Sequence, residues 1–255
     1  MIPTPVKDPW IQQPRPRPEA RLRLFLLAHA GGGASAFRGW ADEFPSTVEV
    51  CSVQLPGREN RLREAPFDRM APLVEALAGA ISRWSDRPYA VFGHSIGALV
   101  GFELARHAEA TGAPAPVHLF ASGRRAPDVP NRQPDLHRLG DDELIAGLQE
   151  LGGMPAPLLE HAELLQLLLP VMRADLALTE TYTPTPGATI RAPVTACTGT
   201  EDGKVSLDEA RAWERHTTGG FRLRTFPGDH FYLFAHRERV LQALREDLGQ
   251  IVAHL

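Results

Sequence analysis

Short apolar runs alternate along the chain with longer stretches of helical periodicity. Arg21-Leu22-Arg23-Leu24-Phe25-Leu26-Leu27-Ala28 first alternates and then turns wholly apolar, as a strand does on entering a buried sheet. Val48–Val53, Tyr89–Phe92, Val117–Ala121, Val194–Cys197 and Phe221–Phe226 read as further strands. Between them, Leu73, Leu77 and Ile81 recur every fourth position, which predicts an amphipathic helix over about 70–84. Helices are also predicted from Ser35, a plausible N-cap, to about Phe44, and over about 96–110, 206–216 and 237–253. Strands alternating with helices predict an α/β fold with a mostly parallel sheet covered on both faces.

The alternation breaks once. From about 135 to 182 the pattern is helical and leucine-rich, with Pro155, Pro157 and Pro170 as expected boundaries. This predicts a helical lid inserted over about 130–185, with Leu144, Leu148, Leu151, Leu158, Leu164, Leu165 and Leu168 roofing an apolar chamber. Residues 1–19, MIPTPVKDPWIQQPRPRPE, carry too much proline for helix or central strand and read as an extended or disordered arm before a domain over 20–255.

Composition narrows the classes. The 255 residues are 43% hydrophobic and 23% charged, ordinary for a globular domain large enough to fold without a disulfide or metal staple. No long uncharged apolar run suggests a membrane span, and a net charge of −4 gives no support to nucleic-acid binding. Cys51 and Cys197 lie in apolar strand-like runs and read as packed thiols. With no signal-peptide pattern at the N-terminus, a cytoplasmic monomer is expected. The 23 prolines are nearly twice the usual share, but they concentrate in the arm and at element boundaries.

Gly93-His94-Ser95-Ile96-Gly97 follows a predicted strand and opens a predicted helix, the setting that gives G-x-S-x-G meaning. A serine on so tight a turn projects its hydroxyl above the sheet, with a helix N-terminus beneath it to favour developing negative charge. Ser95 is therefore the candidate nucleophile, and it needs a base. Of ten histidines, His230 alone lies in a turn-rich loop between the last strand and the last helix. His94 adjoins the serine but should point away from it. Asp202, just past the strand at Val194–Cys197, is the candidate acid, with Glu201 and Asp229 as competitors. An oxyanion hole would take the N–H of Ile96 and that of Ala30, from the loop after the first core strand. The glycine cluster Gly31–Gly33 lacks the Lys-Ser/Thr of a phosphate loop, and no Cys/His spacing suggests zinc, so neither cofactor nor metal is expected.

With these residues in place, the chain resembles the stand-alone type II thioesterases of polyketide and non-ribosomal peptide synthesis, within the α/β-hydrolase superfamily. The resemblance covers about residues 20–253. It rests on Ala30-Gly31-Gly32 with Phe37-Arg38-x-Trp40, on Gln54-Leu55-Pro56-Gly57-Arg58-Glu59-x-Arg61, on Gly93–Ala98, on Arg173-Ala174-Asp175, on Asp202 and on Gly228-Asp229-His230-Phe231. It implies an α/β-hydrolase fold and hydrolysis of stalled or mis-primed acyl groups from the phosphopantetheine arm of acyl or peptidyl carrier proteins. Ser95, Asp202 and His230 carry over as its triad. Arg58, Arg61, Arg63, Arg124, Arg125 and Arg132 become candidates for a rim that docks an acidic carrier protein. Two positions depart from the family pattern: Ala28-His29 stands where Pro-Tyr is usual, and Asp202-Gly203 where Asp-Pro is usual. The alternatives are a carboxylesterase or lipase-like hydrolase of free esters or acyl-CoA, an acyltransferase that excludes water, and a non-catalytic binding protein on the same fold.

Overall fold

The computed structural model describes residues 8–132, 135–150 and 161–255. Its centre is a seven-stranded sheet in the order β1-β3-β2-β4-β5-β6-β7. The strands are β1 (Ile11–Gln12), β2 (Leu22–Leu27), β3 (Val48–Val53), β4 (Tyr89–His94), β5 (His118–Ser122), β6 (Val194–Gly199) and β7 (Phe221–Phe226). β1 pairs antiparallel with β3 and every other pairing is parallel. The predicted strands are thus all present, and the sheet is of the predicted kind. β2, β3, β4 and β6 are buried along their whole length, which explains why they read as continuous apolar runs.

The period-two alternation of side chains divides the core in two. Phe25, Leu27, Val91 and Leu119 pack on one face with Leu73, Leu77 and Ile81 of α1 (Met70–Ser82) and Val100 and Leu104 of α2 (Ile96–Thr111). Leu22, Leu24, Leu26, Phe92 and Phe120 pack on the other with Trp40, and with Leu241 and Leu244 of the C-terminal helix Arg237–Ala253. Each fully buried Leu or Phe stabilises the fold by about 1.5–3 kcal/mol, so these two layers dominate its stability. β7 is half-exposed, and its Arg224 pairs with the buried Asp247 of the C-terminal helix at 2.7 Å.

Two local expectations are corrected. The helix expected from Ser35 to Phe44 is instead two one-turn 3₁₀ helices, Ala34–Phe37 and Trp40–Asp42. Gly39 lies between them at φ 75°, a left-handed conformation that ends the first turn, and Ser35 donates its hydroxyl to Glu59 rather than capping a helix. Pro170 is not a boundary but lies inside a long lid helix. It is exposed there, as is Gln166, whose carbonyl loses the N–H it would otherwise accept from.

From Asp8 onward the N-terminal arm is tied to the body. Ile11 is buried in the sheet, Asp8 accepts from Trp84 and Arg83, and Arg17 donates to the carbonyls of Ala41, Phe44 and Val48.

Between β5 and β6 come a short turn at Leu136–Arg138, α3 (Asp141–Glu150) and α4 (Ala162–Glu180). Leu136, Leu144, Leu148, Leu169 and Met172 form a separate small core within this insertion. Arg173 ties it together, donating to the carbonyls of His137 and Leu139 and pairing with Asp141. Leu151, Leu158, Pro155 and Pro157 lie outside the described residues. Two short helices complete the fold: α5 (Leu207–Arg211), and α6 (Tyr232–Ala235), which precedes the C-terminal helix α7 (Arg237–Ala253). The loops leaving the carboxyl ends of β2, β4, β5, β6 and β7 converge beneath the insertion, where parallel sheets place ligands.

Candidate active site

Ser95 sits between β4 and α2 at φ 55° and ψ −116°, one of two non-glycine residues with positive φ among the described residues. The turn is tight because its flanks are bare. A Cβ on Gly93 would collide with the Gly97 carbonyl, and one on Gly97 with the Leu27 carbonyl. The Ser95 N–H donates to the Ser122 carbonyl at 2.7 Å, which ties the turn to the end of β5. Strain held by surrounding contacts in this way is a hallmark of functional positions.

His230 Nδ1 lies 2.9 Å from Asp202 Oδ2, and both side chains are buried. The other Asp202 oxygen accepts from the N–H groups of Lys204 (2.9 Å) and Val205 (3.2 Å). The carboxylate therefore fixes its own loop across Gly203. Of the competing carboxylates, neither hydrogen-bonds His230 among the described residues, and Asp229 instead accepts from the N–H of Phe231 at 2.8 Å. Ser95 and His230 face one small chamber of about 110 Å³, and among the described residues no hydrogen bond joins them directly. Catalytic hydrogen bonds in an unliganded site are often formed only once substrate is present. Ala30 and Ile96 line the same chamber. Ile96 opens α2, so its N–H is among those a helix leaves without an intrahelical acceptor.

His94 turns away from the serine, as expected. Its Nδ1 lies 2.9 Å from Ser122 Oγ, which lies 2.6 Å from the Tyr232 hydroxyl. Its ring packs 5.1 Å from that of His230, and complete burial holds its pKa well below the ordinary range, so it is neutral. Ser122 and Tyr232 gave no sign in the sequence, because only the fold brings the end of β5 and the helix after β7 together beside His94. His29, at the position that departs from the family pattern, packs among Phe231, Phe234 and His94, and burial lowers its pKa to about 4.

The insertion reaches this site through Asp175 on α4. Its carboxylate accepts from the Gly31 N–H at 2.7 Å and holds Arg58 in a two-pronged pair at 2.7 and 2.9 Å. Both partners are almost wholly buried. This corrects the expected docking rim. Arg58 is committed to Asp175, and Arg61 is buried against Glu64 and the Trp10 ring. Arg124 and Arg125 line the chamber, leaving Arg63 and Arg132 on the surface. The expected apolar roof is also only partly apolar. Of the named leucines, Leu148 alone lines the chamber among the described residues, while Leu164 is exposed. Met172, Asp175, Leu176, Thr179 and Glu180 repeat at helical spacing down the face of α4 turned toward the chamber, mixing apolar and polar groups.

Among the described residues, no cluster of three or more His, Cys, Asp or Glu could hold a metal, and no helix is long and apolar enough to cross a membrane. Cys51 and Cys197 are free and buried.

A family model described as the thioesterase domain matches residues 22–248. The gramicidin S biosynthesis protein GrsT of Aneurinibacillus migulanus is 40% identical over 230 residues, which cover 90% of each chain. The RedJ thioesterase from the prodiginine biosynthetic pathway in Streptomyces coelicolor superposes with a TM-score of 0.82 at 43% identity, covering 89% of this chain and 86% of that one. The type II thioesterase BorB from the borrelidin biosynthetic cluster superposes with a TM-score of 0.84 at 40% identity, covering 94% and 97%.

Proposed function

The chain belongs to the thioesterase domain family, and from that premise we propose that it is a stand-alone type II thioesterase that frees carrier proteins of stalled or mis-primed acyl groups. Its substrate on this reading is an acyl thioester on the phosphopantetheine arm of an acyl or peptidyl carrier protein. The observation that carries the reading is one chamber holding a strained Ser95 and a His230 oriented by a buried, hydrogen-bonded Asp202.

Each step follows from these groups. His230 takes the Ser95 proton as Oγ attacks the thioester carbonyl, and the N–H groups of Ala30 and Ile96 receive the charge that develops on oxygen. Asp202 keeps the proton of the imidazole on Nδ1 and stabilises the imidazolium. The tetrahedral intermediate collapses, the C–S bond breaks, and the thiol leaves with the proton from His230. Water then attacks the acyl-enzyme, gives its proton to His230 and releases the free acid and Ser95.

The test is one acyl group presented on a carrier protein, on coenzyme A and as a nitrophenyl ester. The expected outcome is a kcat/KM at least about tenfold higher for the carrier-bound form, since remote binding energy lowers the barrier only when the carrier is present. Turnover of the carrier no faster than that of the nitrophenyl ester would replace this reading with a hydrolase of free esters. Acyl transfer to an added amine in preference to water would replace it with an acyltransferase.

A further inference from the structure

One wall of the chamber carries a cation that no carboxylate neutralises among the described residues. The buried arginines are paired: Arg23 with Glu49, Arg58 with Asp175 and Arg61 with Glu64. Arg124 is not. Among the described residues no carboxylate pairs with it and no group accepts a hydrogen bond from its guanidinium, whose Nε is buried without a partner. Its neighbour Arg125, which donates to Asn131, adds repulsion. Burial and that second charge together lower the Arg124 pKa to about 9.

The backbone holds Arg124 in place. Its carbonyl accepts from Trp213 Nε1 at 2.8 Å, and the N–H of the preceding Gly123 donates to the Cys197 carbonyl at 2.8 Å. Gly123 itself abuts the His94 and His230 rings, where a Cβ would lie 3.3 Å from His230 Cε1. The unpaired guanidinium is therefore rooted one residue from the catalytic base and lines the chamber that holds Ser95. A half-buried guanidinium whose Nε is cut off from water without an acceptor is costly, and a ligand that supplies the acceptor recovers that cost on binding. A plain methylene chain does not.

We propose that Arg124 is a specificity-determining residue that selects acyl groups bearing a hydrogen-bond-accepting oxygen beyond the thioester carbonyl, such as a carboxylate or a β-keto or β-hydroxyl oxygen. The inference rests on the thioesterase reading and names the substrate class of that same site. Sites built to hydrogen-bond a substrate discriminate strongly against the analogue that lacks the group.

The experiment measures kcat/KM for malonyl, 3-oxobutyryl, 3-hydroxybutyryl and butyryl groups on one carrier protein, with wild type, Arg124→Met and Arg124→Lys. In the wild type, at least one oxygenated group should exceed butyryl by about tenfold or more. An advantage confined to malonyl identifies a carboxylate as the partner, and one shared by all three shows that a neutral acceptor suffices. In Arg124→Met the ratio should collapse to near one, and Arg124→Lys should restore part of it. The ratio is independent of how much of each variant folds. A wild-type ratio near one, or a wild-type ratio retained in Arg124→Met, overturns the proposal. No hydrolysis of any of the four thioesters overturns the thioesterase reading, and this inference with it.

Discussion

Ser95 has no freedom to be elsewhere: its φ of 55° is held by a hydrogen bond to Ser122 and by two glycines whose bareness lets backbone approach backbone. Replacing its side chain by a methyl leaves that turn intact and removes the oxygen proposed to attack. Ser95→Ala is expected to keep its circular dichroism and melting temperature, lose labelling by a fluorophosphonate probe, and drop in kcat by about four orders of magnitude or more. Labelling or turnover that survives would show the nucleophile to be another residue. Asp202→Asn should retain labelling but at a rate lowered by about 10²–10⁴, because an amide stabilises the wrong imidazole tautomer. That Ser95, His230 and Asp202 come together was legible from motif and chain order. The environment of Arg124 was not, since an arginine in a sequence shows neither its burial nor its lack of a partner.

At the scale of elements, α4 is the bridge between lid and catalysis. Asp175 on this helix grips Arg58 from the loop after β3 and the Gly31 N–H from the loop after β2, next to Ala30. Shifting α4 would thus shift the loop that carries Ala30, the proposed oxyanion donor. Asp175→Asn should lower stability by about 3–5 kcal/mol, because it leaves the Arg58 guanidinium buried without its counter-charge. It should also lower kcat about tenfold to a hundredfold, with a smaller change in KM. The double replacement Arg58→Met with Asp175→Leu should recover stability but not kcat, because Gly31 still lacks its acceptor. A double variant with restored kcat would limit Asp175 to a role in stability. The sequence offered Arg58 and Asp175 only as separate fragments, 117 residues apart, and nothing local pairs them.

For the whole molecule, three histidines are held neutral by burial. His29 and His118 are lowered to about 4 and His94 lies well below the ordinary range, against about 6.5 in an unfolded chain. As pH falls through 6.5 the unfolded chain takes up protons that the native state does not, so stability falls with pH between about 6.5 and 4. The melting temperature should decline across that window. His118→Gln, which can keep the hydrogen bond to Thr195, should make the decline shallower. An unchanged slope would remove His118 as a contributor.

The sequence by itself determined β2 to β7, the mostly parallel sheet they form and the serine turn; the order of the strands and the pairing of β1 with β3 needed the fold. The former are local properties: periodicity follows from which face is buried, and a tight turn requires glycine wherever backbones touch. Tertiary structure decided the rest. It replaced a helix by two short turns around Gly39, placed Pro170 inside α4, and withdrew Arg58 and Arg61 from the surface. It also put Arg124, unpaired among the described residues, in the wall of the chamber that holds Ser95. Charge pairing and burial depend on partners distant in the chain, and only the folded packing selects which of the carboxylates and arginines come together.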